Sequence, residues 1–233
     1  MASYNGSRFI REQLRSILEQ SLPVDEIIIV DDASSDCTTE IIRDFADPRI
    51  ILIQNKINLG VVASFEKSLV HATGDLIFLC DQDDVWRVDK VETFYRFFMI
   101  HPKVTAAVSD ANVIDQNGDQ IRHSWLGPSG FRSGLIPNLI KNRYTGCAMA
   151  FRRSALEYCL PIPPRVPMHD AWIGMANQLF GDVGYIADPL FSYRRHGNNV
   201  VTGDHAPLKQ MAAWRFHLSF ELYRRFLKAI LLP

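Results

Sequence analysis

The first hundred residues alternate between short apolar runs and segments in which apolar residues recur at helical spacing. The runs cover residues 26–30, 50–53 and 76–80, and each lies beside acidic residues, Gly or Pro. Continuous runs of this kind are typical of strands buried on both faces of a parallel sheet. Short connections to the amphipathic segments between them indicate right-handed helical crossovers. The pattern therefore predicts an α/β fold in which helices flank a mostly parallel, Rossmann-like sheet.

The rest of the chain continues the mixed pattern. Asn117-Gly118 lies between two strand-like stretches, which predicts a hairpin turn. Residues 123–137 are rich in Gly, Ser and Pro, and we expect a mobile loop that closes on a ligand. The other predicted elements are strands at 104–109, 145–151, 183–186 and 190–193, and helices that end at Ile100, begin at Asp170 and cover 208–232.

Composition and charge narrow the function classes. At 233 residues, of which 47% are hydrophobic, the chain can bury one full core. We expect one domain at 1–203, with halves at about 1–100 and 101–203, and a helical extension at 204–233. The 25 basic and 26 acidic residues give a formal net charge of -1. A nucleic-acid partner is therefore not expected, because the chain lacks a general basic field.

Cysteine and histidine usage favours a reduced, zinc-free protein. The cysteines show no CxxC pairing, and we expect reduced core thiols in a cytosolic protein. They are Cys37, Cys80, Cys147 and Cys159. The seven histidines show no HExxH spacing, which argues against a zinc site. The sequence shows neither a signal peptide nor an apolar run long enough to span a membrane, so a cytoplasmic location is predicted.

The predicted C-terminal helix combines Trp, Phe and Leu with basic residues. The interleaved basic residues are Arg215, Arg224, Arg225 and Lys228. We favour packing of the apolar residues on the domain or on a partner. The alternative is an interfacial helix that makes peripheral contact with the cytoplasmic face of a membrane, since basic residues flank the aromatic ones.

Residues 81–84 are the acidic stretch Asp-Gln-Asp-Asp, directly after the apolar run at 76–80. Side chains alternate along an extended chain, so Asp81 and Asp83 are expected to face the same side. Carboxylates this close repel one another and raise their own pKa values unless a cation lies among them. Oxygen ligands of this kind suit Mg²⁺ or Mn²⁺. The alternative is a solvated turn in which Asp84 caps the following helix, which would account for one aspartate.

Further polar residues fall at the carboxyl ends of the predicted strands. They are Tyr4-Asn5-Gly6, Asp31-Asp32 and Asn58. Ligands bind outside these ends in open α/β sheets. The sequence has neither a P-loop nor a GxGxxG fingerprint for phosphate. It offers carboxylates instead, which recognise ribose hydroxyls or base N–H groups directly and reach phosphate through a metal.

Asp170 and the basic segment at 194–196 each have two possible roles. Asp170 begins a helical pattern, where it serves as a helix N-cap or, if it faces a cleft, as a base. Arg194, Arg195 and His196 lie next to flexible Gly197. They offer a diphosphate clamp or, alternatively, a solvated basic turn.

Six motifs occur in a fixed order along the chain. They are SYNG at 3–6, IVDDAS at 29–34, NLG at 58–60, CDQDDVW at 80–86, HDAW at 169–172 and YRRHGNN at 193–199. Their combination resembles family-2 glycosyltransferases with a GT-A fold. It is most similar to the rhamnosyltransferase-like members that build bacterial surface polysaccharides. The resemblance covers the chain up to about residue 203.

The resemblance implies a donor site for a nucleoside diphosphate sugar. Asp32 would contact the pyrimidine of a UDP- or dTDP-sugar, Asn58 would line the same pocket, and Asp81 would lie near the ribose. The other implied donor-binding residues are Ser3, Tyr4 and Asn5 beside the nucleotide, and Arg194, Arg195 and His196 near the diphosphate.

The resemblance also implies a metal and a base. Asp81 and Asp83 match the family's DXD pair, with Asp83 as the direct ligand of Mn²⁺ or Mg²⁺ and Asp84 in a supporting position. Asp170 matches the catalytic base. The implied reaction is inverting, metal-dependent transfer of the sugar to a glycan or lipid-linked acceptor in surface-polysaccharide synthesis.

The chain departs from the family pattern twice. Residues 193–199 are looser than the QxxRW motif of processive synthases, which argues against a processive polymerase. Relatives place an apolar strand ahead of the Tyr-Asn-Gly turn, where this chain has Met1-Ala2, so we expect a truncated first strand. A non-catalytic sugar-nucleotide or glycan-binding scaffold stays an alternative. A nucleotidyltransferase is less favoured, because its Gly-rich N-terminal loop is absent.

Overall fold

The computed structural model describes residues 1–127, 130–197 and 207–231. Its strands are β1 (Ala2–Ser3), β2 (Ile27–Asp31), β3 (Ile50–Gln54), β4 (Leu76–Phe78), β5 (Val85–Trp86), β6 (Val104–Ile114), β7 (Gln120–Arg122), β8 (Met149–Arg152) and β9 (Asp182–Arg194). Its helices are α1 (Ile10–Leu18), α2 (Thr38–Asp44), α3 (Val61–Val70), α4 (Lys90–Ile100), α5 (Leu135–Ile140), α6 (Leu156–Cys159), α7 (His169–Phe180) and α8 (Leu208–Leu231). Pro128 and Ser129 of the predicted loop, and Asn198 and Asn199 of the basic segment, lie outside the described residues.

The first sheet is parallel and has the order β1-β2-β3. All five residues of β2 are buried, as its apolar run predicts. Ile10 and Leu14 of α1 and Phe65 of α3 belong to the same hydrophobic core as β2. The predicted α/β class is therefore confirmed, and all strand pairs of this first sheet are parallel.

The second sheet has the order β4-β8-β6-β9-β5, and β7 pairs with β6. Only the pair β6 and β9 is parallel within this described sheet, and its other pairs are antiparallel. The expectation that the strand at 76–80 extends the parallel sheet was wrong, because β4 pairs with β8 in antiparallel register. An apolar run indicates burial of both strand faces, but it carries no information about the direction of the neighbouring strand.

Two strand predictions in the second half also needed correction. β9 is one strand of 13 residues, where two short strands were predicted. Its pairing with β6 shifts register on both sides of Asp110, which pairs with Pro189, so irregularities accommodate the proline within the strand. The strand predicted at 145–151 begins at Met149, because Gly146–Ala148 forms a 3₁₀ turn. The hairpin between β6 and β7 is confirmed.

A cavity of about 470 Å³ lies between β2 and β4. Its lining includes Ile28 of β2, Phe65 of α3 and Ile77 of β4. Met1 also lines it and donates from its ammonium group to Ile28 O at 2.8 Å. β1 contains the two residues Ala2 and Ser3.

The long C-terminal helix is confirmed as α8, which packs on α7. Leu218 and Leu222 are buried in the main core, so one face of α8 belongs to the domain as favoured from the sequence. Within the described residues, every helix is too short or too polar to cross a membrane.

The cysteines are free thiols, and three of them are buried as expected of core residues, but the prediction that Cys37 is a core thiol was wrong. The buried ones are Cys80, Cys147 and Cys159, whereas Cys37 is exposed. Burial raises the pKa of Cys80 to about 12 and that of Cys147 well above its ordinary range. These buried thiols are therefore protonated at neutral pH.

Candidate active site

The loop after β1 is fixed to the loop after β2 by hydrogen bonds. Asn5 N donates to Ser34 Oγ at 2.9 Å. The hydroxyls of Ser3 and Ser34 both donate to Asp31 Oδ1, at 3.0 Å and 2.6 Å. Tyr4 is 48% exposed beside this network. We call the loops that follow β1, β2 and β3 the rim of the first sheet. Of the predicted nucleotide-binding residues in the rim, Ser3 and Asn5 form these hydrogen bonds, while Tyr4 presents its ring to solvent.

Asp32 is buried and holds the loop that follows β3. Its Oδ1 accepts from Asn55 Nδ2 and Leu59 N, and its Oδ2 accepts from Gly60 N, each at 2.8 Å. Burial alone would raise the pKa of Asp32, but these hydrogen bonds outweigh it and lower the pKa below its ordinary value. Asn58 is exposed on the same loop. Asp32 and Asn58 are thus brought to one region, with the Asp32 carboxylate already engaged by the protein.

The acidic cluster consists of Asp81, Asp84 and Cys147. One ligand atom from each lies within 4.8 Å of the others. Burial, and then the charges of Asp83 and Asp170, raise the pKa of Asp81 to about 7. Burial, and then the charges of Asp81 and Asp83, raise the pKa of Asp84 well above its ordinary value. Desolvation and mutual repulsion therefore disfavour the ionised forms of these carboxyl groups.

The acidic cluster fits a divalent cation. No N–H or O–H group of the described residues donates to Asp84 Oδ2, which is buried. The neighbouring Cys147 thiol is only a weak donor. A buried carboxylate oxygen without a good partner costs free energy, which a cation bound to it would offset. Carboxylate oxygens suit Mg²⁺ or Mn²⁺, so Asp84 joins the predicted ligands Asp81 and Asp83 as a candidate.

Asp84 does not cap the helix that follows it. α4 begins at Lys90, and its N-cap position is Asp89. Asp84 Oδ1 instead accepts from Arg194 N at 3.0 Å. Asp83 and Asp84 are 9% and 1% exposed, so the alternative of a solvated, capping turn was wrong.

The three predicted diphosphate-binding residues lie in different environments. Arg194 is 2% exposed and donates from its guanidinium to Glu12 Oε2 at 2.6 Å and to the Asp83 carbonyl at 2.8 Å. Arg195 is exposed. His196 Nε2 lies 2.8 Å from Asp83 Oδ2. His196 thus contacts the side chain of Asp83, the predicted metal ligand. Arg194 holds the backbone of Asp83.

Asp170 lies in the first turn of α7 and reaches the acidic cluster. The N-cap position of α7 is Met168, so the N-cap interpretation of Asp170 was wrong. Asp170 Oδ2 accepts from Gly146 N at 3.2 Å. Burial raises the pKa of Asp170 to about 6, although backbone N–H groups oppose the shift. Gly146 directly precedes Cys147, which belongs to the acidic cluster, so Asp170 lies next to that cluster.

His169, next to Asp170, is held neutral. Its ring stacks on Phe65, with the ring centroids 3.8 Å apart. Burial lowers the pKa of His169 to about 3, and neither ring nitrogen has a hydrogen-bond partner among the described residues. Asp170 is therefore the titratable group of this helix start that is ionised near neutral pH.

Gln82 is a site residue to which the sequence analysis assigned no role. Tyr4 N donates to Gln82 Oε1 at 2.9 Å, and Gln82 Nε2 donates to Tyr4 O at 3.1 Å. This pair joins the loop after β1 to the acidic stretch after β4. A Cβ at Gly6 would lie 2.2 Å from Gln82 Oε1, so glycine is required there for the contact. The signal in the sequence was the glutamine placed between aspartates.

Lys90 is a second such residue, and it lies fully buried at the start of α4. Its Nζ donates to Cys147 O at 2.6 Å and lies 4.2 Å from the Trp86 ring centroid and 4.4 Å from that of Phe191. Burial lowers the pKa of Lys90 to about 8. Its positive charge offsets part of the negative charge of the acidic cluster. A lysine at a helix start gave no sequence signal for burial.

With this geometry established, comparison with known proteins assigns the family. The model described as "Glycosyl transferase family 2" matches residues 1–160. TuaG of Bacillus subtilis, named as a teichuronic acid biosynthesis glycosyltransferase, is 37% identical over 203 residues, which cover 85% of this chain and 78% of TuaG. The chain therefore belongs to glycosyltransferase family 2.

Other curated relatives are longer than this chain. Rv1520 of Mycobacterium tuberculosis is 30% identical over 206 residues, which cover 85% of this chain and 58% of that protein. WfgD of Escherichia coli is named UDP-Glc:alpha-D-GlcNAc-diphosphoundecaprenol beta-1,3-glucosyltransferase and is 35% identical over 147 residues. Those residues cover 63% of this chain and 56% of WfgD. The chain thus spans little more than half the length of these two relatives.

Solved structures share the fold, which is that of GT-A glycosyltransferases. TarS 1-349 of Staphylococcus aureus in complex with UDP-GlcNAc aligns with a TM-score of 0.74 at 16% identity, covering 97% of this chain and 65% of TarS 1-349. The mannosyltransferase PcManGT of Pyrobaculum calidifontis, in complex with GDP-Man and Mn²⁺, aligns with a TM-score of 0.62 at 22% identity. That alignment covers 98% of this chain and 62% of PcManGT.

Proposed function

We propose that the protein transfers a sugar from a nucleoside diphosphate sugar to a hydroxyl group of a glycan or lipid-linked acceptor, with inversion at the anomeric carbon. The observation that carries this proposal is the hydrogen bond from Gly146 N to Asp170, which places Asp170 next to Cys147 of the acidic cluster. A base and a cation site that share one space are what a single displacement at a diphosphate sugar requires.

The nucleotide of the donor lies along the strand ends of the first sheet in this proposal. Tyr4 offers an exposed ring, and Asn58 lies on the loop that Asp32 orders. Ser3 and Asn5 hold the adjoining turn in place. We propose a UDP- or dTDP-sugar as donor, and the UDP-GlcNAc in the TarS complex supports this class.

The diphosphate lies at the carboxyl end of β4. Asp81 and Asp83, supported by Asp84, would hold Mn²⁺ or Mg²⁺. The grouping of Asp81 with Asp84 and the buried, poorly satisfied Asp84 oxygen support this proposal, whereas Asp83 lies outside that group and contacts His196. A cation held by these residues would supply positive charge to the diphosphate leaving group. His196 lies 2.8 Å from Asp83 Oδ2 and holds that carboxylate in place. Arg195, the residue before it, is exposed and would contact the phosphate oxygens. The Mn²⁺ in the PcManGT complex supports the choice of ion.

Asp170 serves the acceptor. Its ionised carboxylate accepts the proton of the acceptor hydroxyl while that oxygen forms the bond to the anomeric carbon. The bond from the anomeric carbon to the diphosphate breaks in the same displacement, and nucleoside diphosphate leaves. A pKa of about 6 keeps Asp170 mostly ionised at neutral pH and still basic enough to accept the proton.

The proposed reaction belongs to surface-polysaccharide synthesis, and the names of two relatives support this proposal. TuaG is named for teichuronic acid biosynthesis, and WfgD is named for a diphosphoundecaprenol-linked acceptor. We propose that residues 1–100 form the nucleotide half and residues 101–203 the acceptor half.

The test is turnover with a panel of UDP-, dTDP- and GDP-sugars in the presence of Mn²⁺. We expect release of nucleoside diphosphate from one donor, with a fall of at least about hundredfold in Asp170→Asn. The exposed Asp188→Asn change is the matched control and should keep full turnover. Donor binding without any turnover in the unchanged chain would contradict the proposal and favour a scaffold. Release of pyrophosphate from a nucleoside triphosphate would identify a nucleotidyltransferase instead.

A further inference from the structure

The helix α8 has one face that is fixed to the domain. Leu218 and Leu222 are buried against it. Arg215 donates from its guanidinium to Ile140 O at 2.6 Å. The Arg225 guanidinium donates to Pro161 O at 2.8 Å and lies 5.4 Å from the ring centroid of Trp172. These contacts set the rotation of α8 about its own axis, so its opposite face is presented outward in a defined orientation.

That outward face carries a stripe of large apolar residues. Phe216, Phe220, Tyr223 and Ile230 follow the spacing i, i+4, i+7 and i+14, which places them along one side of a helix. Their side chains are exposed, with 67% exposure at Phe216 and 59% at Tyr223. The rings of Phe216 and Phe220 are nearly parallel, with the ring centroids 6.2 Å apart. Single exposed apolar residues need no explanation, but a contiguous stripe of this kind marks an interaction surface.

The charges of α8 indicate what the stripe contacts. The helix contains five Lys or Arg residues and one acidic residue, Glu221. Arg215 and Arg225 donate to backbone carbonyls of the domain. Lys209, Arg224 and Lys228 are exposed, and Arg224 also pairs with Glu221 at 3.1 Å. Two copies of this face would bring like charges together, which disfavours a dimer. An anionic lipid surface complements both the charge and the apolar stripe.

We propose that α8 lies along an anionic lipid surface, with Phe216, Phe220 and Tyr223 inserted between headgroups and Arg224 and Lys228 beside lipid phosphates. At 1.5 Å per residue the helix offers about 36 Å of contact. α8 packs on α7, whose first turn contains Asp170, so binding would hold the proposed acceptor half next to the lipid. The outward face of α8 is separate from the candidate active site. Lipid binding can therefore be tested independently of the proposed catalytic function.

The test is co-sedimentation of the full chain with vesicles. We expect binding to vesicles of phosphatidylglycerol and phosphatidylcholine at 1:3, little binding to phosphatidylcholine alone, and weaker binding in high salt. The triple variant Phe216→Ser, Phe220→Ser, Tyr223→Ser should bind at least about tenfold more weakly. The matched control Met99→Ser, Ile100→Ser, Ile121→Ser removes three apolar residues of similar exposure elsewhere on the surface and should bind like the unchanged chain.

A second variant separates charge from apolar contact. Arg224→Gln with Lys228→Gln should weaken binding to the phosphatidylglycerol vesicles several-fold, because each basic residue near the surface contributes to attraction. Circular dichroism and thermal unfolding of all variants check that they fold. Equal binding to neutral and anionic vesicles, or equal loss in the matched control, would overturn the proposal. A dimer in sedimentation velocity that the triple variant dissociates, without vesicle binding, would assign the face to a second copy and overturn it as well.

Discussion

The rim of the first sheet and the acidic cluster both contain aspartates at strand ends. The pKa is lowered in the rim and raised in the acidic cluster. Asp32 accepts from three donors, and its pKa is lowered. Asp81 and Asp84 are crowded with other carboxyl groups, and their pKa values are raised. The rim is therefore complete without a ligand, whereas the acidic cluster has a higher free energy until a cation neutralises it. Perturbed groups of the second kind are the ones that mark functional sites.

The same Asp→Asn substitution in both regions should show the largest difference between them. Asp32→Asn should lower the free energy of unfolding by roughly 1–3 kcal/mol, because an NH₂ group replaces an oxygen that faces partly buried N–H donors. Asp84→Asn should cost less than about 1 kcal/mol without metal, since the charge of Asp84 is already disfavoured. Urea unfolding at pH 7 measures both. Equal losses would contradict the distinction between the two regions.

The two regions should also respond differently to pH. Asp170 and Asp81 have pKa values of about 6 and about 7, above the unfolded value of about 3.9. The folded state therefore binds more protons than the unfolded state between about pH 4 and 7, and stability should fall as pH rises through this window and then level off. Asp32, whose pKa is lowered, contributes stability above about pH 4 that is lost as pH falls below it.

Asp170→Asn isolates one part of that pH dependence. It should remove a loss of stability on the order of 2 kcal/mol between pH 4 and 6, because each pKa unit is worth about 1.4 kcal/mol. Urea unfolding of the metal-free protein at pH 4, 5, 6 and 7 measures the slope. A stability difference between Asp170→Asn and the unchanged chain that stays constant with pH would show that the pKa of Asp170 is not raised.

Lys90 is the buried positive charge next to the acidic cluster, so its removal tests whether the cluster depends on that charge. Lys90→Met keeps the volume but removes the donor to Cys147 O and the positive charge. It should lower the free energy of unfolding by roughly 1–2 kcal/mol, measured by urea unfolding at pH 7. The exposed Lys56→Met change is the matched control and should stay within about 0.5 kcal/mol. No loss in Lys90→Met would mean that the cluster needs no cation from the protein.

The smallest expected effect concerns the link between the two regions. Gln82→Ala removes both hydrogen bonds to the Tyr4 backbone, which are solvent-exposed. It should lower stability by about 1 kcal/mol, measured by thermal unfolding, and weaken nucleotide binding a few-fold. The exposed Gln210→Ala change on α8 serves as control. Unchanged nucleotide binding in Gln82→Ala would show that the rim and the cluster act separately.

Local sequence patterns predicted most helices and strands of this fold. They did not predict how distant strands pair. β2 and α7 were predictable, since an apolar run and a 3.6-residue period each identify one structure. The antiparallel partner of β4 was not, because it lies more than 70 residues further along the chain. The single strand β9 was hidden by Asp188-Pro189, a turn signal that a register shift accommodates.

The same division holds for the candidate site. The sequence indicated a carboxylate site at 81–84 from residue types alone, and Asp170 was assigned from resemblance. It could not indicate that Cys147 lies within 4.8 Å of Asp81 and Asp84, or that Lys90 is buried beside them. Those facts depend on the pairing of β4 with β8, since the 3₁₀ turn before β8 carries Cys147.

The most direct test of the central claim is thermal unfolding with UDP and with dTDP, each with and without Mn²⁺. The account predicts a shift of several degrees for one nucleotide that requires the metal. The shift should vanish in Asp83→Asn and persist in Asp75→Asn, whose side chain is fully exposed. A nucleotide shift of the same size without metal, or one retained in Asp83→Asn, would contradict the assignment of residues 81–84 as the cation site of a nucleoside diphosphate.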